Sequence, residues 1–236
     1  MEIKNYGNFT VVLPTLNEAG NIANAINAIC RLYPGISVIV ADDGSRDNTQ
    51  QIVIRMSKKN GKISLLDRRK EKVKGLTASV AEGIMKSRTE YVIVMDADMQ
   101  HPPEKIKDIA RALLRGCNAA VAVRRSVKGW EFYRKAVSKS LIYIGYLILY
   151  ARRRSRCSDI FSGYFGTRRS TFSSIFLKNK SRFVMDGYKI LFDMLKCMPS
   201  SLFKVCEVPY TFGLRKSGRS KAGLKQGMAV FRSFLS

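Results

Sequence analysis

Short apolar runs alternate with helix-like segments through the first half of the chain. The runs at residues 9–13, 37–41, 62–66, 91–95 and 119–123 are typical of buried strands. Between them, apolar residues recur at helical spacing. Strands and helices that alternate in this way predict crossover connections, and therefore a mostly parallel sheet with helices on both faces. The predicted fold class is α/β.

Capping residues and prolines place the helices between these strands. The predicted helices run from Asn17, as N-cap, to Arg31, from Asp47 or Asn48 onward, over 75–86, and from Pro102 to about Arg115. The second half has longer apolar and basic segments. It is predicted to contain a long apolar helix over 132–151, a short strand over 160–165, a helix over 187–196, a strand over 203–208, a basic loop over 214–223 and a last helix over 224–235.

Composition limits the partners of the chain. Its 236 residues are typical of one domain. Lys and Arg number 42 against 18 Asp and Glu, a formal net charge of +24. Unless it serves solubility alone, such an excess indicates an anionic partner: nucleic acid, an anionic membrane or a phosphate-bearing substrate.

The cysteines argue against a metal or disulfide framework. The five cysteines are widely spaced and form no CxxC pair, and His101 is the only histidine. A zinc site and disulfides are therefore not expected. The pattern favours buried thiols in a reducing compartment.

The longest apolar run, 141–151, is too short to cross a bilayer, which requires about 20 apolar residues. Basic residues flank it, with Lys139 before it and residues 152–154 after it. The run is therefore either an ordinary core helix or an interfacial helix on an anionic membrane. We favour the second, with the last helix beside it. Because the chain stops at Ser236, we expect peripheral docking, a membrane partner, or a truncated chain.

Acidic residues follow four of the predicted strands. They are Glu18 after the first, residues 42–43 after the second, Asp67 after the third and residues 96–98 after the fourth. Ligands of open α/β sheets bind outside the carboxyl ends of the strands. These carboxylates are therefore expected to converge on one site.

Asp96 and Asp98 directly follow an apolar strand and are separated by one residue. Two carboxylates in this arrangement can share a hard divalent cation such as Mg²⁺ or Mn²⁺, and Gln100 would add a third oxygen. Such a cation would neutralise a departing diphosphate. The alternative is a solvated turn, or a cap for the helix at Pro102.

Asp42 and Asp43 have two compatible interpretations. Their carboxylates could accept hydrogen bonds from the base or ribose of a nucleotide, or they could cap the following helix. In the combined interpretation, Asp43 contacts a ligand while Asp47 or Asn48 caps the backbone.

Five segments stand out as motifs: PTLNEAGNI, VADDGS, MDADMQHPPE, FSGYF and VPYTFGLRKSGRSK. In this order, over Phe9 to about Lys221, they resemble the inverting GT-A glycosyltransferases of family 2. The third and fifth look like those of dolichyl- or polyprenyl-phosphate mannose synthases. The resemblance implies a Rossmann-like GT-A fold in a single domain over 1–236, with a nucleotide-sugar half at 1–123 and an acceptor and membrane half, with amphipathic interfacial helices, at 124–236.

The resemblance also implies roles for individual residues. Catalysis would depend on Asp98 and Arg125, with Arg134 and Ser138 receiving the acceptor phosphate. Leu16 stands where a Tyr is common. The metal ligands would be Asp98, Gln100 and Asp96. The donor would contact Pro14, Leu16, Glu18, Ala41 and Asp43 around the nucleoside, Asp96, Ala97 and Asp98 at the diphosphate and sugar, Arg125 at the phosphates, and Arg215 and Lys221 from the late loop.

The chemistry of a lipid-phosphate acceptor agrees with this arrangement. A phosphate monoester has a second pKa of about 6, so its oxygen is already anionic at neutral pH. Such an enzyme needs cations that hold two anions together rather than a strong general base. His101 is accordingly predicted to be structural.

The sequence therefore predicts transfer of mannose from GDP-mannose to dolichyl or polyprenyl phosphate, with Mg²⁺ or Mn²⁺, for protein glycosylation or glycan assembly. The expected location is the cytoplasmic face of a membrane, with a possible membrane-anchoring subunit. One alternative is another donor such as UDP-glucose. A more distant alternative is a basic nucleic-acid-binding protein, which we disfavour because acidic strand ends would repel a phosphate backbone.

Overall fold

The computed structural model describes residues 3, 5–127, 132–213 and 224–235. Its strands are β1 Phe9–Thr15, β2 Ser37–Asp42, β3 Ile63–Asp67, β4 Tyr91–Val94, β5 Ala119–Val127, β6 Phe165–Arg168 and β7 Val205–Phe212. Its helices are α1 Ile22–Leu32, α2 Thr49–Lys59, α3 Leu76–Lys86, α4 Ile106–Leu114, α5 Phe132–Ala151, α6 Arg169–Lys178, α7 Ile190–Lys196 and α8 Leu224–Leu235, with 3₁₀ turns at Pro103–Lys105 and Lys180–Arg182.

The seven described strands form one sheet in the order β3-β2-β1-β4-β6-β5-β7. β1 pairs in parallel with β2 and β4, β2 with β3, and β5 with β7. β6 runs antiparallel to its neighbours β4 and β5. The prediction of a mostly parallel α/β sheet is therefore confirmed.

Alternate strand residues feed two cores, one on each face of the sheet. Val12, Val92 and Val121 pack on one face, and Val11, Val38 and Ile93 on the other. This two-sided burial explains why the strands appear in the sequence as continuous apolar runs.

Two local predictions were wrong. Asn17 does not cap α1; it has a positive φ of 53° and its side-chain oxygen accepts the Arg46 amide at 2.7 Å. Residues 160–165 do not form a strand, because β6 begins only at Phe165. In both places, polar contacts with distant segments determine the backbone conformation, and local periodicity does not predict it.

The cysteine prediction was wrong for one pair. Cys117 and Cys206 form a disulfide with a Cα–Cα distance of 6.0 Å. They are 89 residues apart, and the pairing of β5 with β7 brings them together. Cys30, Cys157 and Cys197 are free thiols, as the sequence predicted for all five.

The helix over 132–151 has the predicted bounds. Gly145 and Leu149 face inward, whereas Tyr143, Leu147 and Tyr150 are exposed. In the described part of the chain, no helix has both the length and the apolar character required to cross a membrane.

Candidate active site

The reversed direction of β6 determines which residues meet at the carboxyl edge of the sheet. Phe165, the first residue of β6, pairs with Val94, the last residue of β4. The segment that leads into β6, residues 159–164, therefore lies beside the residues that follow β4. Since Gly163 lacks a Cβ, it leaves space there; a Cβ would lie 3.2 Å from Asp96 Oδ2.

The loop after β4 folds back on itself. The Asp96 amide donates to His101 Nδ1 at 3.2 Å, and the Gln100 amide donates to Asp98 Oδ1 at 3.0 Å. Met99 between them has a φ of 64°. Asp98 is buried, whereas the Asp96 side chain is 36% exposed. The turn thus holds both carboxylates in one short segment at the strand end.

His101 is structural, as predicted. Its ring stacks on Tyr164 with centroids 5.0 Å apart and meets Tyr210 and Phe212 edge-on. Burial lowers the pKa of His101 to about 4. The neutral ring can therefore accept the Asp96 amide through Nδ1, and this contact fixes the start of the loop.

The end of β7 is attached to the same loop. The Gly213 amide donates to the Gln100 carbonyl at 3.0 Å, and Gln100 Nε2 donates to the Gly213 carbonyl at 3.2 Å. The chain therefore leaves β7 next to Asp98. Arg215 and Lys221, predicted to close over the donor, lie outside the described residues.

Asp96 and Asp98 fit a divalent cation of the kind that binds with a nucleotide. No group of three His, Cys, Asp or Glu side chains in the described residues could hold a metal alone. Mg²⁺ at nucleotide sites is commonly bound by one or two carboxylates together with substrate phosphates. Two aspartates beside the space at Gly163 match that donor set. Gln100 Nε2 bonds the Gly213 carbonyl, whereas a cation would bind Oε1, and the role of Gln100 as a ligand stays a prediction.

Arg124, rather than Arg125, lies against this site. Arg124 Nε and Nη2 donate to the two carboxylate oxygens of Asp159 at 2.6 and 2.9 Å. Its guanidinium lies over the Phe212 ring and interacts electrostatically with Asp96. Arg125 is exposed and stands at the register shift of β5 against β7, between Arg124 and Ser126. Its predicted role at the phosphates stays a prediction.

Sequence reasoning missed Asp159 and Lys189. Asp159 stands two residues before the FSGYF motif, which was the available signal. Lys189 precedes α7 and is partly buried. Burial, followed by repulsion from Arg124, lowers the pKa of Lys189 to about 8, against the attraction of Asp159 and Asp96. No local pattern distinguishes Lys189 from the many other lysines of this basic chain.

The acidic residues after β2 and β3 are engaged by the protein itself. Asp42 is fully buried and accepts hydrogen bonds from Thr15, Ser45 and Gln50. Asp67 pairs with the exposed Arg69. Asp42 and Asp67 are thus engaged by protein groups, and the convergence of all four strand ends on one ligand site stays a prediction.

Asp43 is held by two protein donors. Its carboxylate pairs with the buried Arg68 and accepts the Gly75 amide at 2.8 Å. Burial raises the pKa of Asp43, while Arg68 opposes that rise. Its contact with a nucleoside stays a prediction, as does that of Glu18, whose carboxylate accepts Asn21 Nδ2 at 2.9 Å.

The remaining predicted donor residues differ in exposure. Pro14 pairs with Ala41 in the β1–β2 register, and both are buried. Ala97 is also buried, whereas Leu16 is exposed at the end of β1. Leu16 is therefore the member of this group whose side chain is open to a base.

The predicted acceptor residues lie on α5. Arg134 and Ser138 occupy its first two turns. The structure describes only their place in the helix, and their binding to an acceptor phosphate stays a prediction.

Comparison with known families gives a match to glycosyl transferase family 2 over residues 10–176. The chain belongs to this family. The match includes every strand from β1 to β6, the Asp96 loop and the Arg124–Asp159 pair.

Among curated proteins the chain is similar to three dolichol-phosphate mannosyltransferases. The one from Pyrococcus furiosus is 34% identical over 94% of this chain and 60% of its own length. Those from Mycosarcoma maydis and Saccharomyces cerevisiae are 27% and 28% identical over 90% of this chain, and over 72% and 80% of their own lengths. The chain thus spans about three fifths of the first relative.

Among solved structures the chain is similar to glucosyl-3-phosphoglycerate synthase from Mycobacterium tuberculosis. Its complex with Mn²⁺, UDP-glucose and glycerol 3-phosphate aligns with a TM-score of 0.67 at 20% identity, covering 95% of this chain and 76% of that one. The complex with Mg²⁺ and UDP aligns with a TM-score of 0.65 at 20% identity, over 95% and 76% of the two chains. At this identity the similarity establishes the GT-A-like fold.

Proposed function

We propose that the chain transfers mannose from GDP-mannose to a dolichyl or other polyprenyl phosphate with inversion. The observation that carries the proposal is that the Asp96 carboxylate, in the same loop as Asp98, interacts electrostatically with both the Arg124 and the Lys189 cations. Its support from outside the chain is the shared name of the three relatives.

The aspartates and the cations have complementary tasks in this reaction. Asp96 and Asp98 would hold a Mg²⁺ or Mn²⁺ ion, and such an ion would neutralise the diphosphate leaving group. Arg124 places positive charge where two anionic reactants must approach each other. Asp159 fixes the guanidinium in position through two hydrogen bonds.

The lack of a suitable base favours an anionic acceptor. Among the described residues at this edge, the buried His101 already accepts the Asp96 amide through Nδ1, and Asp159 is committed to Arg124. A sugar or alcohol hydroxyl would have to lose its proton during attack. A phosphate oxygen is already anionic, so the acceptor that suits this site is a phosphate.

The surface of α5 and α8 suits a lipid-bearing acceptor. Tyr143, Leu147 and Tyr150 are exposed on α5, as are Met228 and Phe231 on α8. The two helices meet because Gly145 of α5 lies against Phe234 of α8. We call the outward apolar residues of these two helices the apolar platform.

Basic residues border the apolar platform. The Arg156 guanidinium lies over the rings of Tyr146 and Tyr150, at 5.5 and 4.7 Å from their centroids. Aromatic residues beside cations are typical of membrane interfaces. The platform would rest on an anionic membrane, so that the lipid phosphate reaches the sheet edge without leaving the bilayer.

A transfer assay tests the reaction. Purified protein is incubated with a polyprenyl phosphate, Mg²⁺ or Mn²⁺, and either GDP-mannose, UDP-glucose or UDP-GlcNAc. We expect a mannosyl lipid in the organic extract, identified by mass spectrometry. A glucosyl lipid in its place would establish the alternative donor, and the absence of any glycolipid would refute the proposed function.

Sedimentation with vesicles tests the platform. The protein should sediment with vesicles that contain anionic lipid, and Leu147→Ser should reduce the bound fraction. The control is Leu202→Ser, because Leu202 is 74% exposed but lies outside the platform. Equal binding of the two variants would show that the platform is not the membrane contact.

A further inference from the structure

Lys189 is a partly buried cation with little hydrogen bonding to the protein. Its Nζ lies 4.3 Å from the Tyr188 ring centroid and 5.1 Å from that of Phe161. Within the described residues its hydrogen bonding is limited to the Phe161 carbonyl at 3.5 Å. An ammonium group has three N–H donors. Most of the donor capacity of Lys189 therefore remains for another acceptor.

The neighbouring carboxylate does not neutralise Lys189. Both Asp159 oxygens accept hydrogen bonds from Arg124. Lys189 is repelled by Arg124 and attracted by Asp159 and Asp96 at longer range. A charge that is partly removed from water without a close counter-ion is unfavourable for the unliganded fold. An anionic ligand would supply the close counter-ion for Lys189.

A second lysine on the same segment shows the contrasting case. Lys196, at the other end of α7, is fully buried and donates to the carbonyls of Ser233 at 2.8 Å and Arg182 at 3.1 Å. It also pairs with Asp193 at 3.0 Å. Lys196 is thus satisfied by the protein and joins α7 to α8.

The backbone before Lys189 is fixed by contacts at several points. The carbonyls of Met185 and Gly187 accept the amides of Ala78 and Thr77, at 3.1 and 3.0 Å, in the first turn of α3. The Val184 amide donates to Asp193 Oδ2 at 3.0 Å. Lys189 is therefore held in place before any ligand binds, which lowers the cost of binding.

Lys189 also lies where the sheet edge meets the apolar platform. The Phe161 ring beneath its ammonium packs on Phe192 of α7 and Phe234 of α8, with centroids 5.4 and 6.0 Å apart. Lys189 also interacts electrostatically with Asp96. A phosphate whose lipid chain lies along the platform could therefore contact Lys189.

We propose that Lys189 binds the phosphate of the lipid acceptor and, with Arg124, holds it beside Asp96. This inference rests on the proposed function. It adds to the acceptor site a residue from the turn before α7, a segment separate from α5.

The test compares Lys189→Met with Lys196→Met, using farnesyl phosphate as the probe. Calorimetry measures binding of farnesyl phosphate without donor, and binding of GDP-mannose with Mn²⁺. For Lys189→Met we expect about tenfold weaker farnesyl phosphate binding, unchanged GDP-mannose binding and no loss of thermal stability. Lys189→Arg should retain most of the phosphate binding. Lys196→Met should instead lower the melting temperature.

The outcomes separate the two proposals. Farnesyl phosphate binding that is unchanged in Lys189→Met, or that falls together with GDP-mannose binding, overturns the role of Lys189 even if the wild-type protein makes mannosyl lipid. Binding that depends on Lys189 in a protein that makes no glycolipid supports the role of Lys189 and refutes the proposed reaction.

Discussion

A pair of acidic residues stands at the carboxyl end of β2 and another pair in the loop after β4, but the protein uses the two pairs differently. After β2, Asp42 is fully buried among side-chain and backbone donors, and Asp43 is paired with the buried Arg68. After β4, Asp96 is about one third exposed and lies opposite the space at Gly163. The Arg124 and Lys189 cations interact electrostatically with Asp96.

The difference shows that acidic strand ends are not equivalent. A buried carboxylate surrounded by protein donors stabilises the loop that supplies them. Carboxylates in a tight turn, with cations near and a glycine opposite, are suited to a ligand that brings both a metal and phosphates. Sequence spacing does not distinguish these two cases, but burial and hydrogen-bond partners do.

The largest expected effect is on catalysis at the β4 pair. Asp98→Asn keeps the size of the side chain but removes its charge, so we expect transfer to fall by about 1,000-fold, or roughly 4 kcal/mol. The measurement is the rate of mannose incorporation into the lipid extract at saturating substrates. Retention of full activity would show that Asp98 does not hold the metal. The melting temperature serves as the control for folding.

Substitution in the β2 pair is expected to lower the stability of the fold. Asp42→Asn places an amide among the donors of Ser45 and Gln50, and we expect a loss of about 3 kcal/mol in the free energy of unfolding. Urea denaturation measures it. Asp186→Asn is the matched control, because Asp186 is 51% exposed in a surface pair with Arg232 and should change stability by less than about 1 kcal/mol. Similar losses for both variants would contradict the structural role of Asp42.

The comparison can also be made between the ends of β4 and β3, where two aspartate side chains are almost equally exposed. The side chains of Asp96 and Asp67 are 36% and 35% exposed, at the ends of β4 and β3. Asp96→Asn should reduce transfer by about 30-fold, whereas Asp67→Asn should leave it within about twofold. Equal rates for the two variants would mean that all the acidic strand ends contribute alike, as the sequence first indicated.

The smallest expected effect is on the pH dependence of stability, and it concerns Asp47, in the turn between β2 and α2. Burial would raise the pKa of Asp47, but hydrogen bonds from Thr49 and the Ala19 amide hold it below its ordinary value. A depressed carboxylate pKa stabilises the fold above the unfolded pKa of about 4, and this contribution is lost as the pH falls through the folded value. Asp47→Asn should therefore cost about 1 kcal/mol at pH 7, and the difference from wild type should shrink towards pH 3.

Urea denaturation at several pH values measures the prediction for Asp47. Asn48→Ala is the control, because Asn48 occupies the N-cap position of α2 without a side-chain hydrogen bond to the helix. A stability difference between Asp47→Asn and wild type that stays constant with pH would contradict the assignment.

The sequence by itself determined the alternating strands and helices and the position of the loop that carries Asp96 and Asp98. Alternating apolar runs gave the α/β fold, and the bounds of α5 and α8 agree with those predicted. Asp96 and Asp98 could be placed at a strand end from YVIVM alone. These features depend on residues that are close in the chain, so periodicity and capping residues are enough to predict them.

Tertiary structure decided which of the candidate residues meet. The reversal of β6 brings Asp159 to Arg124, 35 residues away, and the pairing of β5 with β7 brings Cys117 to Cys206. The contacts of the 184–187 segment with α3 set Lys189 at the site, while Arg68 engages Asp43. Each of these contacts depends on strand order and on the packing of distant segments. Local sequence patterns predict neither of these.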